Sequence, residues 1–437
     1  MELFLIGHRV STREIGSARP PLQRFVWRMT HTPVLPSILI PLGLALLLLS
    51  ACSTQEVVRA NALPATRAQQ PVAENRLLDV GIVIFDPGLP EDRKELTESN
   101  IFPDVRKAEA RCIPYTLKRT LAATRQWGAL WLVPDSERTV DLMVTGRIVS
   151  SDGEQFGLDV AVTDATGTTW LKKHYAGTAS KYAYSDEHFR EEDPFQNVYN
   201  SIANDLLTAR DQLTGEALER IRTIAELRFA QDFSPDAFAG YLVQDPQGQY
   251  SLNRLPADGD PMLSRVRIIR ARDAMLLDTL DGHYAAFCRE MEPSYREWRK
   301  SNFEETLALQ KLERSARNRM VMGGAATVAG VAGGLKSGST AGQVVSAATA
   351  VGGVAVFASG VEKYSQSRIH ADALRELGDS LDAAVAPMVV DVEGRTVTLA
   401  GSAETQYHAW RRLLSEIYAQ ETGLPPTKPA PDSEATE

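Results

Sequence analysis

The segment from residue 321 to residue 361 places the strongest constraint on the fold, because Lys336 is its one charged residue. Within this segment, small residues recur at every fourth position. On a helix this spacing aligns them in one stripe, along which a second helix can pack closely, as helices do in lipid. In water each glycine inside a helix would cost about 1 kcal/mol relative to alanine, so the stripe favours lipid or a tight helix interface. The stripe consists of Ala326, Gly330, Gly334, Gly338, Gly342, Ser346 and Ala350.

The lengths of the two apolar parts of this segment predict an Ala/Gly-rich helical hairpin. Residues 321–335 would form about 22 Å of helix, less than the ~30 Å core of a bilayer, whereas residues 341–361 are long enough to cross it. We predict that the hairpin inserts into a membrane or drives self-association; a soluble helical pair packed against the rest of the chain is the alternative. The segment resembles the glycine zippers of outer-membrane lipoproteins of the 17-kDa surface-antigen type, although it is richer in valine and lies late in the chain.

A second apolar run, at residues 34–49, predicts a secretory signal. Arg24 and Arg28 provide its basic flank, and small residues follow the apolar stretch. A transmembrane helix is the alternative, but the run is shorter than the ~20 residues of a membrane span. Translation could begin at Met1 or at Met29.

The residues that follow this run, Leu49-Ser50-Ala51-Cys52, resemble the lipobox of bacterial lipoproteins. The resemblance implies that residues 1–51 are removed as a signal peptide and that Cys52 becomes the acylated first residue. It also implies sorting to the outer membrane, because Ser53 rather than an aspartate follows the cysteine. We therefore expect the chain to be lipid-anchored at the periplasmic face of the outer membrane.

Composition and the scatter of reactive residues argue against several functions. With 47 Lys and Arg against 56 Asp and Glu, a net charge of −9, we expect no nucleic-acid partner. The seven histidines are scattered, and the acidic run around His188 lacks the ligand spacing of a calcium loop. We predict no catalytic residue, no metal site and no cofactor. Cys112 and Cys288 could pair in an oxidising compartment, but two buried free thiols are the interpretation that we favour.

The distribution of apolar and helix-breaking residues predicts an α+β fold. We expect an N-terminal, mainly antiparallel sheet with helices, then an extended helical region with the Ala/Gly-rich hairpin, and a C-terminal β-hairpin plus helix. Pro114 should kink or break a helix of the first domain, and Pro293 should divide the helical region into two stretches. The predicted parts are a signal peptide at 1–51, a lipidated flexible tether at 52–76, a periplasmic α+β domain at 77–212, a helical stalk at 213–320, the glycine-zipper hairpin at 321–361, a helix, β-hairpin and helix at 362–424, and a disordered tail at 425–437.

Two of these folded parts resemble known envelope modules. The predicted order β-α-β-β-β-β-α of the first domain resembles the small modules of PqiC-type transport auxiliary lipoproteins and of LpoB-type activators of penicillin-binding proteins. That resemblance implies binding of partner proteins, and no catalytic residue carries over. Residues 392–404 and the helix after them are similar to part of a BON domain, with a generic hairpin and helix as the alternative. One face of that helix consists of Tyr407, Trp410, Leu413, Leu414 and Ile417.

From the lipobox resemblance and the stripe, we predict a non-enzymatic outer-membrane lipoprotein that acts as an envelope scaffold or partner-binding protein. Its partners would be the membrane, through the acyl anchor, other envelope proteins, and further copies of itself through residues 321–361. An auxiliary subunit of a lipid or polysaccharide transport machine is a second hypothesis. An envelope hydrolase is a third, and no nucleophile–base pair or metal set in the sequence supports it.

Overall fold

A computed structural model describes residues 63–92, 101–136, 138–180, 182–184, 193–332, 388–392 and 395–423. The α+β class is confirmed, with strands concentrated in the first half and long helices in the second. Cys52, residues 336–340 between the two apolar parts of the predicted hairpin, and the predicted tail lie outside the described residues.

Five strands form a sheet in the first half of the chain: β1 (Val80–Val83), β2 (Leu130–Val133), β3 (Leu142–Ser151), β4 (Gln155–Asp164) and β5 (Thr169–Thr178). The strand order across the sheet is β2-β1-β3-β4-β5. The sheet is mixed, because β1 runs parallel to both β2 and β3, while β3, β4 and β5 form longer antiparallel ladders. The antiparallel part follows the prediction, and the parallel pairing of β1 was not predicted.

Five α-helices and two further hairpins complete the described residues: α1 (Pro103–Thr124), α2 (Gln196–Asp211), α3 (Gly215–Phe233), β6 (Leu242–Gln244), β7 (Tyr250–Leu252), α4 (Pro261–Ala332), β8 (Met388–Val392), β9 (Arg395–Leu399) and α5 (Ala403–Thr422). Helix α1 connects the parallel strands β1 and β2, as such a crossover requires. Helix α2 packs on β5, and α4 lies against α1, β2, α3 and α5.

Local sequence explains where several helices begin and end. The side chains of Thr214 and Ser402 accept hydrogen bonds from backbone N–H groups of the first turns of α3 and α5. Asp260 does the same for α4, accepting from the N–H groups of Met262 and Leu263. The left-handed Gly423, with φ of 69°, follows the last residue of α5.

Helix α4 passes through Pro293 without interruption, so the predicted division into two helices is wrong. Its 72 described residues make a helix about 108 Å long. A proline inside a helix costs about 3 kcal/mol, because it lacks an N–H and crowds the preceding turn. Buried side chains on both sides of the proline, Met291 and Trp298 among them, hold α4 against α1 and outweigh that cost. Helix α1 likewise continues unbroken through Pro114.

The hydrophobic core is continuous across the predicted boundary at residue 212. Ile82 of β1, Ile224 of α3, Leu277 of α4 and Leu414 of α5 belong to one buried cluster. Its C-terminal part confirms the predicted hairpin and helix, because β8 and β9 pair antiparallel and the predicted apolar face of α5 is buried. A second, smaller cluster between α1 and α4 consists of Val105, Ala108, Cys112, Phe287, Cys288, Met291 and Trp298.

Candidate functional site

The structure places only part of the predicted helix-packing stripe. Ala326 and Gly330 lie in the backbone of α4, whose described part reaches Ala332. Gly334, Gly338, Gly342, Ser346 and Ala350 lie outside the described residues, as does the predicted lipidation site, Cys52. Across the described ranges, which stop at residue 332 within the small-residue segment, we find no helix both long enough and apolar enough to cross a membrane. What the structure does show is how the base of α4 is held.

A disulfide joins α4 to α1. Cys288 and Cys112 are bonded to each other, with their Cα atoms 5.5 Å apart, which corrects our preference for two free thiols. Both cysteines are buried, and 176 residues separate them in the sequence. The spacing of α1 and α4 is therefore covalently fixed at this point. We call residues 270–310 of α4, which contain Cys288, the anchored part.

A buried ion pair ties the start of the anchored part to the sheet. Arg138, in the connection between β2 and β3, lies 3.0 Å from Asp273 of α4, and the two side chains are 1% and 0% exposed. The guanidinium also lies over the ring of Trp131, 4.7 Å from its centroid. Because both charges are removed from water, each depends on the other for compensation.

Two further aspartates of α4 bind β2 and α1. Asp278 accepts a hydrogen bond from Trp131 Nε1 at 2.9 Å, and Asp281 accepts one from the backbone N–H of Leu132 at 3.3 Å. Lys118 of α1 donates to the same Asp281 carboxylate. Burial lowers the pKa of Lys118 to about 8, although the nearby charge of Asp278 opposes the shift.

A buried carboxyl group links α1, β3 and α4. Glu109 is fully buried and accepts hydrogen bonds from Ser151 Oγ and Tyr295 Oη, each at 2.5 Å. Burial raises the pKa of Glu109, and the neighbouring charges of Arg106 and Arg299 only partly offset that rise. The far end of the anchored part is held by Gln310, whose amide donates to Glu154 at 2.8 Å.

The turn between β3 and β4 touches the backbone of α4 directly. Gly153 has a φ of +86°, and a Cβ at this position would lie 2.4 Å from the carbonyl oxygen of Arg299. A side chain here would therefore be strained and would push α4 away from the sheet. Arg299 itself reaches across to Asp193, at 3.0 Å.

A cavity of about 880 Å³ lies beside the disulfide, between α1, α2, α4 and the segment that precedes β1. Its volume is within the range of small-molecule sites. Glu109, Tyr295 and Arg299 line it together with both cysteines. The remaining charged side chains on its wall are Arg67, Arg119, Asp193, Arg289, Glu292 and Arg296.

The segment that carries Arg67 is ordered against α2 and α1, although it falls in the predicted tether. Thr66 donates its backbone N–H to Asn204 at 2.8 Å, and Asn204 in turn donates to the carbonyl of Pro64 at 3.0 Å. Ala68 donates to the carbonyl of Thr124, at the end of α1. These bonds hold the segment at the edge of the cavity.

Asp141 predicts a pH dependence of stability. It is buried, accepts a hydrogen bond from the backbone N–H of Asp79 at 2.9 Å and lies 3.8 Å from Arg270. Burial raises its pKa from the usual 3.8 to about 6. The folded protein therefore binds this proton more tightly than the unfolded chain, so the free energy of unfolding should fall as pH rises from about 4 to 6, by up to about 3 kcal/mol.

Asp141→Asn should remove this component, because the amide stays neutral at every pH. Urea unfolding of both proteins at several pH values gives the difference in unfolding free energy. As pH rises from about 4 to just above 6, we expect the unfolding free energy of the variant to increase relative to that of the unaltered protein. A constant difference between pH 4 and pH 7 would contradict the assignment.

The described histidines and acidic side chains are dispersed. No group of three or more His, Cys, Asp or Glu side chains there could hold a metal ion. His188 lies outside the described residues. The described histidines include His174 and His408, which sit beside single aspartates, Asp159 and Asp135.

No protein-family model matches this chain, and no curated protein or solved structure matches it either. The resemblances described for the lipobox and the zipper therefore remain predictions.

The cavity was not predicted from the sequence. Arg67, Arg119 and Arg289 come from three distant parts of the chain, and no spacing relates them. The lone signal was the pair Cys112 and Cys288, since each lies in a predicted helix and their pairing would have brought α1 and α4 together.

Proposed function

We propose that this protein is a non-enzymatic, lipid-anchored envelope scaffold that presents its small-residue segment, residues 321–361, from a rigid base. The observation that supports the proposal is the anchored part of α4. A disulfide, a buried ion pair and several side-chain hydrogen bonds attach this part to the α+β fold at separate points between Asp273 and Gln310. The backbone of α4 continues for 22 residues from Gln310 to Ala332, about 33 Å, and enters the stripe.

The disulfide also supports the proposed compartment. Structural disulfides persist in oxidising compartments such as the bacterial periplasm and are rare in the cytosol. Two of the three cysteines form this bond, and the third, Cys52, lies in the sequence that resembles a lipobox. All three cysteines thus have a role in an exported lipoprotein.

The anchor is tested by metabolic labelling with palmitate in the native host. The unaltered protein should incorporate label and Cys52→Ser should not, whereas Cys112→Ser should be labelled like the unaltered protein. Globomycin, which blocks cleavage of lipoprotein signals, should leave a heavier, unprocessed form. An unchanged mass after globomycin treatment would rule out the lipid anchor.

The stripe is tested by the mass of the purified protein in neutral detergent. We expect more than one chain per particle for the unaltered protein, and a shift towards one chain for Gly330→Ile, because the larger side chain prevents close helix packing. Gly324→Ile is the matched control, since helical spacing places Gly324 well away from the stripe. If all three proteins contain one chain per particle, the self-association proposal is wrong, whatever the outcome for the anchor.

A further inference from the structure

Three arginines on the cavity wall have no carboxylate partner among the described residues. Arg67 precedes β1, Arg119 lies on α1 and Arg289 lies on α4, next to Cys288. Each is exposed at the cavity. The disulfide beside them fixes the spacing of the two helices that carry Arg119 and Arg289.

The other charges of the cavity are compensated within the protein. Arg299 pairs with Asp193 at 3.0 Å, and Arg296 pairs with Glu292. Glu109 lies beside Arg106 at 3.6 Å and is held by two hydroxyl groups. The wall is therefore locally positive, although the chain as a whole carries a net charge of −9. Positive charge gathered in a cleft attracts anions.

We propose that this cavity binds a phosphate-bearing ligand. The planar guanidinium fork matches phosphate oxygens, and the wall carries three such groups without a carboxylate partner among the described residues. A dissolved phosphate monoester, with nearly two negative charges, and the phosphodiester headgroup of an anionic phospholipid, with one, both present phosphate oxygens to such a fork. The inference goes beyond the scaffold function and requires neither Cys52 nor the stripe.

Glycerol 3-phosphate is a suitable probe, because it is a phosphate monoester small enough for a cavity of about 880 Å³. Glu109 and Arg299 also line the cavity, but both are buried and have partners within the protein. Glu109 is held by Ser151 and Tyr295, and Arg299 by Asp193.

The experiment is calorimetric titration of the full chain, in neutral detergent, with inorganic phosphate and with glycerol 3-phosphate. The unaltered protein should bind glycerol 3-phosphate with a Kd at or below about 1 mM. Arg119→Glu/Arg289→Glu should weaken binding at least ~100-fold, about tenfold for each lost charge-assisted contact. Arg220→Glu on α3 is the matched control, an exposed helical arginine outside the cavity, and should change Kd less than about twofold.

A second variant, Arg119→Gln/Arg289→Gln, keeps the test valid if charge reversal disturbs folding. It should also weaken binding, and its unfolding midpoint should match that of the unaltered protein.

Sedimentation with phosphatidylglycerol vesicles, using Cys52→Ala forms of each variant, distinguishes a lipid headgroup from a dissolved phosphate ester as the ligand. Arginine-dependent vesicle binding identifies a lipid headgroup, and arginine-dependent binding of the dissolved ester alone identifies a soluble one. If the double variants bind like Arg220→Glu in both arms, or if the unaltered protein binds neither probe, the proposal is wrong.

Discussion

Removal of the Cys112–Cys288 disulfide is expected to lower the free energy of unfolding by about 2–5 kcal/mol. The bond closes a loop between residues 176 positions apart, so it strongly restricts the unfolded chain. It also lies in the small core between α1 and α4, where Trp298 and Met291 pack around it. We expect Cys112→Ser/Cys288→Ser to unfold at a lower urea concentration than the unaltered protein, and reduction of the unaltered protein to have a similar effect.

Two controls make this result specific. Cys52→Ser removes the third cysteine and should leave the unfolding midpoint unchanged. Thiol labelling of the denatured, unreduced protein should detect no thiol at Cys112 or Cys288, and both after reduction. Equal midpoints for the double serine variant, the reduced protein and the unaltered protein would show that the bond adds no stability.

Asp273→Ala is expected to lower the free energy of unfolding by about 3–5 kcal/mol, because it leaves the buried guanidinium of Arg138 without its partner. The two side chains are 0% and 1% exposed, so water cannot replace the lost carboxylate. Arg138→Met/Asp273→Leu should recover most of the loss, since Arg138 is then no longer a buried ion, and Arg411, which Asp273 also faces, keeps Asp232 at 3.6 Å. Chemical unfolding followed by circular dichroism measures all three proteins.

The matched control is an exposed pair on the same helix. Arg267 of α4 lies 2.6 Å from Glu226 of α3, with 59% of its side chain exposed, and Glu226→Ala should cost less than about 1 kcal/mol. If Asp273→Ala proves no more destabilising than Glu226→Ala, the buried pair does not hold α4 to the sheet.

Much of the secondary structure could be predicted because its signals are local. The predicted order β-α-β-β-β-β-α of the first domain and the predicted apolar face of α5, which contains Trp410, both occur in the structure. Periodicity and helix caps depend on neighbouring residues. The small hairpin of β6 and β7 was not predicted, since its strands have only three residues each.

Proline shows the limit of local reasoning. A break at Pro293 follows from the chemistry of a single residue, yet α4 continues because side chains before and after it are fixed to α1. The cysteines show that a long-range contact leaves no local signal, since nothing near Cys112 in the sequence indicates that it bonds to Cys288.

The sequence by itself determined the α+β class, the order of the elements in the first domain and the residues of the small-residue stripe, because hydrophobic periodicity and residue size act over a few positions. Only the tertiary structure decided that α4 is one helix, that Cys112 and Cys288 pair, and that Arg67, Arg119 and Arg289 share one cavity. These features depend on contacts between residues that lie far apart in the chain, and the free energy of those contacts outweighs local preference.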